Sequence, residues 1–511
     1  MDYVQARLLV GLLFVVALIV GVQTLHAPQP PSPIVAGSAS DVATELTSPS
    51  TVEHASTPDP INDAEAAALM STFVTYVPGA NQRAIERILA AHDRRFIPVF
   101  IELLHGIGLG LVHYLSASNI VPPLEALSGR ALGGNWRAWM EWYGTTDLAP
   151  PPGFTGWKGR LLGRIDAGFA QFLQEDVPAR IRSEEIVWGG VRVDGIPALD
   201  QPPMLAAPEA SYLEPGDAVF GLVVNGEARA YPLRIMDWHE MANDLVGGVP
   251  VSLSYCTLCG SAIAFSGRAS DGTTYTFGSS GLLFRSNKLM YDRQTRTLWN
   301  QLTGEPVLGP LANSGVTLRL LPVVLTRWER WRAQHPDTLV LDINTGFERN
   351  YTTGAAYGDY FASPETMFPV GKRSAALDPK TQIYALRVED VPKAYPLERL
   401  VTQRVVNDTV GEKNVVLVTT GDLLELAGQS VRAGAVSYSA GAEVRTYERG
   451  SETFRVGPDE HSLFDEVGRL WSLSEGALVG PTGQSYPRLS GHLAYWFGWF
   501  AFFPHTSVYG Q

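Results

Sequence analysis

Cysteine is scarce: the 511 residues contain two, too few for a disulfide scaffold in a chain of this size. Both fall in one Cys-x-x-Cys, Cys256 and Cys259, so they are placed to act together. Basic residues are in deficit, 39 Lys and Arg against 52 Asp and Glu, for a formal net charge of −13. That balance lacks the basic footprint that nucleic acid requires, and it excludes nucleic acid as the partner. Charged residues make up only 18% and hydrophobic ones 45%. Such a composition excludes disorder throughout and allows a packed core. At roughly 150 residues per domain the length suggests about three domains.

Long apolar runs are missing too, with one exception. From Leu8 to Val22 the chain reads LLVGLLFVVALIVGV, and the uncharged stretch continues to Leu25. About 18 residues just suffice to cross the hydrocarbon core as a helix. Residues 1–27 therefore read as a transmembrane anchor or as a secretory signal cut near Ala27, and the length favours the anchor. Residues 28–61 are rich in Pro, Ser, Thr and Ala with almost no large apolar side chain, the composition of a flexible linker. The expected partner of the N-terminus is the membrane. The working part is expected to face the periplasm or cell exterior, secreted if residues 1–27 are cleaved.

Residues 62–185 carry apolar side chains at helical spacing, as in AIERILAAHDRRFIPVFIELLHGIG, and predict a helical domain. Trp136, Trp139 and Trp142 stand three apart and read as core, and His105 and His113 as core or surface histidines rather than ligands. After Val187 short β-rich runs punctuated by glycine predict strands and turns. Here the chain repeats itself. ARAYPLRIMDWHEMANDLVGG from Ala228 returns as PKAYPLERLVTQRVVNDTVGE from Pro392, with Tyr231 matching Tyr395 and Asn243 matching Asn407. Later, Asp292 matches Asp465, Trp299 matches Trp471 and Thr338 matches Thr506. Two tandem copies are expected, 186–342 and 379–510, giving an α+β chain with a duplicated β-rich module.

One copy serves as an internal control for the other. Cys256, Cys259 and His239 face Thr420, Leu423 and Gln403 in the second copy. Features shared by both copies read as architecture, and features of the first alone read as chemistry. Cys-x-x-Cys spacing lets two sulfurs face one point, which suits a disulfide, a redox pair or half of a metal site. Thiolates favour soft ions such as copper or zinc, and an imidazole would complete the set. The expected metal ligands are therefore Cys256, Cys259 and His239, with His239 alternatively a catalytic acid or base. Glu240, beside His239, is the expected general base or the group that orients its imidazole. HEMAN is not a metalloprotease motif, because Asn243 stands where the second histidine belongs. Arg285 and Ser286 lack clear counterparts and are candidate substrate contacts. His335 faces Phe503 of the second copy and reads as structural. The late aromatic run LAYWFGWFAFF aligns with LPVVLTRWERWRAQH and predicts a packing helix rather than a membrane segment.

AYPLRIMDWHEMANDLVGG, YCTLCGSAIAF, GLLFRSNKLMYDRQTRTLWNQ and HPDT together resemble the bacterial and archaeal domain of unknown function 3179 family. The resemblance spans the first copy almost throughout and the second in weakened form. It implies a site among His239, Cys256, Cys259, Ser261, Asp292 and Trp299. It does not choose between metal and redox chemistry. The expected function is an extracytoplasmic protein with a Cys/Cys/His soft-metal or redox site; the alternative is a binding or scaffold module with a structural Cys256–Cys259 disulfide.

Overall fold

Helical periodicity gives way to strands at residue 186 in the computed structural model, which describes residues 59–511 apart from Tyr76. The expected anchor and nearly all of the linker lie outside the described residues. Among the described residues no helix is long and apolar enough to cross a membrane.

Helices occupy Asp63–Thr72, Ala80–Ala90, Ile97–Gly108, Ala117–Ser128, Trp136–Tyr143, Phe154–Leu162 and Ala167–Phe172. The Asn62 side chain accepts from Glu65 N at 2.9 Å and starts the first of them, a side-chain cap that satisfies an otherwise orphaned N–H. Ile97–Gly108 is apolar nearly all round and buried from Ile97 to Gly106, the mark of a central helix. Of the three tryptophans, Trp139 is fully buried; Trp136 stacks on His105 at 3.8 Å and Trp142 meets Trp139 edge-on at 5.7 Å. His113 is exposed.

Beyond residue 186 the chain is β-rich, so the molecule is α+β with a helical N-terminal and a β-rich C-terminal region. Strand Val249–Cys256 lies between Met241–Val246 and Ser261–Ser266, antiparallel to both. A separate hairpin, Phe277–Phe284 with Asn287–Asp292, turns at Arg285 and Ser286, whose φ values of 50° and 66° are left-handed. Farther on, Gln382–Val388 pairs with Val391–Pro396, helix Leu397–Gln403 follows, and an eight-stranded sheet runs to Leu489.

The same local devices occur twice in the β-rich region. The Tyr231 hydroxyl donates to Asp244 at 2.7 Å and that of Tyr395 to Asp408 at 2.9 Å. Trp299 Nε1 donates to the buried Asp292 at 2.8 Å, and Trp471 to Asp465 at 3.0 Å. Trp331 and Trp499 each reach a threonine hydroxyl seven residues on, Thr338 and Thr506, at 2.9 Å. The arrangements also differ. Strands between residues 277 and 308 form a sheet apart from the strand of Cys256, whereas Phe454–Val456, Ser462–Asp465, Leu470–Leu473 and Ala477–Val479 share one eight-stranded sheet with Lys413–Thr420.

The expected packing helix is Trp496–Phe500, with Trp496, Phe497 and Trp499 buried. Phe497 and Tyr495 share one hydrophobic core with the N-terminal helices, and Cys256, Leu258 and Cys259 belong to that same core. The Cys-x-x-Cys turn thus sits where the helical region, the first strands and the C-terminal helix meet.

Candidate functional site

Strand Val249–Cys256 ends on its last ladder pair, Cys256 opposite Ser261, and residues 257–259 make one 3-10 turn. Gly260 closes the turn with a left-handed φ of 60°, and a Cβ there would stand 3.2 Å from the Tyr495 ring. Both the backbone angle and the close approach favour glycine. The two cysteines are free thiols and buried.

Their surroundings are unequal. Cys256 lines a cavity of about 50 Å³ together with Glu240, Ser279, Lys288 and Tyr357. Cys259 lies behind it, its thiol 3.4 Å from Ser286 O, while the Asn287 amide donates to its sulfur at 3.5 Å. Asn287 and Ser261 both donate to Gln301 Oε1, and the Gln301 amide returns two bonds to Ser254 O and Ser261 O. A Cβ on Gly498, from the C-terminal helix, would come within 3.0 Å of the Cys259 sulfur. Cys259 is therefore held from every side.

Charge follows the same asymmetry. Burial opposes ionisation of Cys256, but the Cys259 thiol and the backbone N–H groups of Lys288 and Cys259 bond its sulfur and bring its thiol below the usual range, against the nearby Glu240 charge. Burial, and the thiolate character of Cys256, push Cys259 well above it.

Glu240 caps helix Leu233–His239 with a left-handed φ of 55°, an uncommon conformation for a non-glycine residue. Its Oε1 accepts from Thr257 at 2.9 Å and its Oε2 lies 3.3 Å from Lys288 Nζ, which also donates to Glu240 O at 3.0 Å. Arg404 follows helix Leu397–Gln403 in the same way, also with positive φ. The bend is shared, and the carboxylate at the cavity is not.

The structure brings Glu240, Cys256 and Cys259 together and places the other expected residues elsewhere. His239 faces the opposite side of the bend: Nδ1 donates to Pro197 O at 2.9 Å and Nε2 accepts from the Tyr351 hydroxyl at 2.6 Å. Burial holds its imidazole down at about 4, assisted by Arg349, so it is neutral with both nitrogens engaged. Among the described residues no group of three or more His, Cys, Asp or Glu side chains is arranged to hold a metal ion. The expected Cys256–Cys259–His239 copper or zinc set is not assembled, because the left-handed residue after His239 sends the imidazole and the Glu240 carboxylate to different sides.

Arg285 is not free for substrate. Its guanidinium pairs with Glu185 at 2.8 and 3.2 Å and donates to Ala501 O at 3.0 Å. It fastens the hairpin to the helical region, and the hairpin in turn delivers Ser286, Asn287 and Lys288 to the cysteines. Ser286 is fully buried and contributes its carbonyl to Cys259 rather than a contact to substrate. His335 ends helix Trp328–Gln334 with its ring 4.2 Å from Trp331, as a structural residue would.

Sequence reasoning missed the residues that enclose the site. Lys288 was detectable: it stands four before Asp292, and His461 stands four before the matching Asp465. Tyr357, Tyr360, Met367 and Phe368 come from residues 343–378, which have no similar stretch elsewhere in the sequence to be compared with. The Tyr357 hydroxyl reaches Glu240 at 3.5 Å, and that of Tyr360 donates to Leu258 O at 2.7 Å.

A family model described as "Protein of unknown function (DUF3179)" matches residues 193–506. No curated protein and no solved structure matches the chain.

Proposed function

The chain belongs to the DUF3179 family, and we propose that Cys256 and Cys259 form its two-electron thiol–disulfide redox centre. The observation that carries this reading is the division of labour between the sulfurs. Cys256 has the more acidic thiol and lines the cavity, so it is the attacking group; Cys259, packed behind it, is the resolving one. Cys256 thiolate bonds to the electrophilic atom of a two-electron oxidant, a disulfide or a peroxide, and the first leaving group departs with a proton. Cys259 then gives up its proton and attacks Cys256 Sγ, forming the S–S bond and expelling the second leaving group. Two electrons pass from the sulfurs to the oxidant.

Zinc would need further donors beyond the two sulfurs, and the ring nitrogens of His239 are committed to Pro197 and Tyr351. The redox reading is tested by equilibrating the full-length protein in thiol–disulfide buffers and weighing it after alkylation. The expected result is one reversible transition between two free thiols and an internal disulfide, lost in Cys256→Ser and in Cys259→Ser. A disulfide that persists in the most reducing buffer would instead favour a structural bridge and the scaffold reading. Stoichiometric copper or zinc on the purified protein would favour the metal centre.

We further read residues 186–342 and 379–510 as two copies of one module, the second having lost the chemistry. The paired Tyr–Asp, Trp–Asp and Trp–Thr hydrogen bonds support this. An experimental structure in which 218–341 and 382–508 fail to superpose with Tyr231 on Tyr395 would argue against it.

The apolar run from Leu8 to Leu25 supports tethering to a membrane with the redox centre outside the cytoplasm, where thiol oxidation is normal. Alkaline phosphatase joined after residue 60 and expressed in a bacterium should be active, since that enzyme matures only outside the cytoplasm. An inactive fusion present in normal amount would place the centre inside.

A further inference from the structure

We propose that the oxidant of this centre is a small uncharged hydroperoxide, with hydrogen peroxide as its simplest form, rather than a protein or glutathione disulfide. The proposal rests on the redox reading above and adds a substrate class to it. The first observation is size. Cys256 is 1% exposed, and the cavity it lines measures about 50 Å³. A cavity holds a water once about 10–15 Å³ is open to a water-sized sphere, so the space accepts a few molecules of that order. A disulfide flanked by peptide does not fit.

The second observation is polarity. Val191, Ile196, Met367 and Phe368 are half-buried apolar residues of the cavity wall, while Cys256, Glu240, Ser279 and Lys288 supply its polar part. An apolar entry penalises a charged oxidant, which would shed its hydration there, and admits a neutral one.

The third is a donor in place. The Lys288 ammonium has three N–H groups and uses two of them on Glu240, at O and Oε2. The remaining one is available to an oxygen leaving from a peroxide beside Cys256. The wall itself is pinned: Arg137 donates to Thr366 O at 2.6 Å and to Phe368 O at 3.3 Å, and Tyr360 to Leu258 O.

The reaction balances. Cys256 thiolate attacks the near oxygen of hydrogen peroxide, forming an S–O bond and breaking the O–O bond. The departing hydroxide takes the proton released when Cys256 ionised, giving water and a sulfenic acid at Cys256. Cys259 then loses its proton and attacks Cys256 Sγ; the S–S bond forms, the S–O bond breaks, and the second hydroxide leaves as water with that proton. Two thiols and one peroxide become one disulfide and two waters.

The test mixes reduced full-length protein anaerobically with hydrogen peroxide, cumene hydroperoxide or glutathione disulfide at equal concentration, followed by quenching, alkylation and mass measurement. Hydrogen peroxide is expected to form the disulfide at least about tenfold faster than either bulky oxidant, which must wait for local opening of the wall. Phe368→Ala, and separately Met367→Ala in case the first fails to fold, should narrow that ratio by widening the entry. Cys259→Ser should stop at a sulfenic acid that dimedone traps on Cys256. Equal rates for all three oxidants, or a peroxide rate no greater than that of free cysteine, would overturn the proposal. The equilibrium titration separates the two ideas: a reversible internal disulfide without peroxide selectivity defeats this inference alone, and no reversible disulfide defeats the redox reading itself.

Discussion

Replacing Lys288 by methionine is expected to raise the pKa of Cys256 and to destabilise the protein by about 3–5 kcal/mol, the usual cost of leaving a buried charge without its partner. Glu240→Gln is expected to move the same thiol in the opposite direction. Glu240 is 6% exposed and Lys288 4% exposed, and their charges lie 3.3 Å apart, so neither is well solvated once the other is gone. The Glu240 carboxylate opposes ionisation of Cys256. Without Lys288 that opposition is uncompensated, and the thiolate fraction at a given pH falls. With glutamine at 240 the negative charge disappears while the Lys288 cation remains, and the thiolate fraction rises. The ultraviolet absorbance of the thiolate, followed against pH in each variant with Cys259→Ser as background, reads both shifts. Shifts of the same sign, or none, would remove Glu240 and Lys288 from any role in tuning Cys256.

The second large effect is expected at Lys158, far from the cysteines in sequence. This residue is fully buried, 2.9 Å from Glu102, and it also donates to Glu184 O and Ile186 O. It therefore joins the central helix to the first strand. Burial alone would raise the Glu102 carboxyl; the Lys158 charge, helped by His105, overrides it and holds the carboxyl at about 2. Lys158→Met should cost about 3–5 kcal/mol at neutral pH, because Glu102 is left as an uncompensated buried charge.

The pH dependence identifies the cause. In the native protein the Glu102 pKa lies below its unfolded value of roughly 4.3, so its contribution is complete above that value and is lost as pH falls towards about 2. In the variant burial raises the unpaired carboxyl, so its penalty fades earlier, as pH falls from neutrality towards the unfolded value of roughly 4.3. The stability gap, measured by urea unfolding, should be widest near neutrality and narrow below about pH 4. A gap independent of pH would mean that packing at Lys158, and not its charge, is what matters.

Much of this molecule was legible from local pattern. Helical spacing up to about residue 172 and β texture from 186 follow from side-chain periodicity within a few residues. The turn at Cys256–Gly260 is equally local, since Cys-x-x-Cys-Gly contains both the spacing that brings two sulfurs together and the residue that accepts a left-handed backbone. Comparing the two similar stretches of sequence singled out Cys256, Cys259 and His239, with Glu240 considered only as the neighbour of His239. That comparison could not separate His239 from Glu240, because one left-handed residue at a helix end decides which of two neighbours faces the cysteines.

Other assignments depended on contacts between distant parts of the chain. Arg285 looked free for substrate until folding placed Glu185 against it, a hundred residues away in sequence. Residues 343–378 carried no sequence signal, yet Tyr357, Met367 and Phe368 form part of the cavity wall. By itself, then, the sequence determined the class of elements, their order and the pairing of the two cysteines in one turn, all of which rest on short-range sterics and spacing. Only the tertiary structure decided which cysteine lines the cavity, which cation lines it too and how much room it leaves. Those depend on burial and charge contributed by the hairpin, the connection and the C-terminal helix together, and no local stretch of sequence contains them.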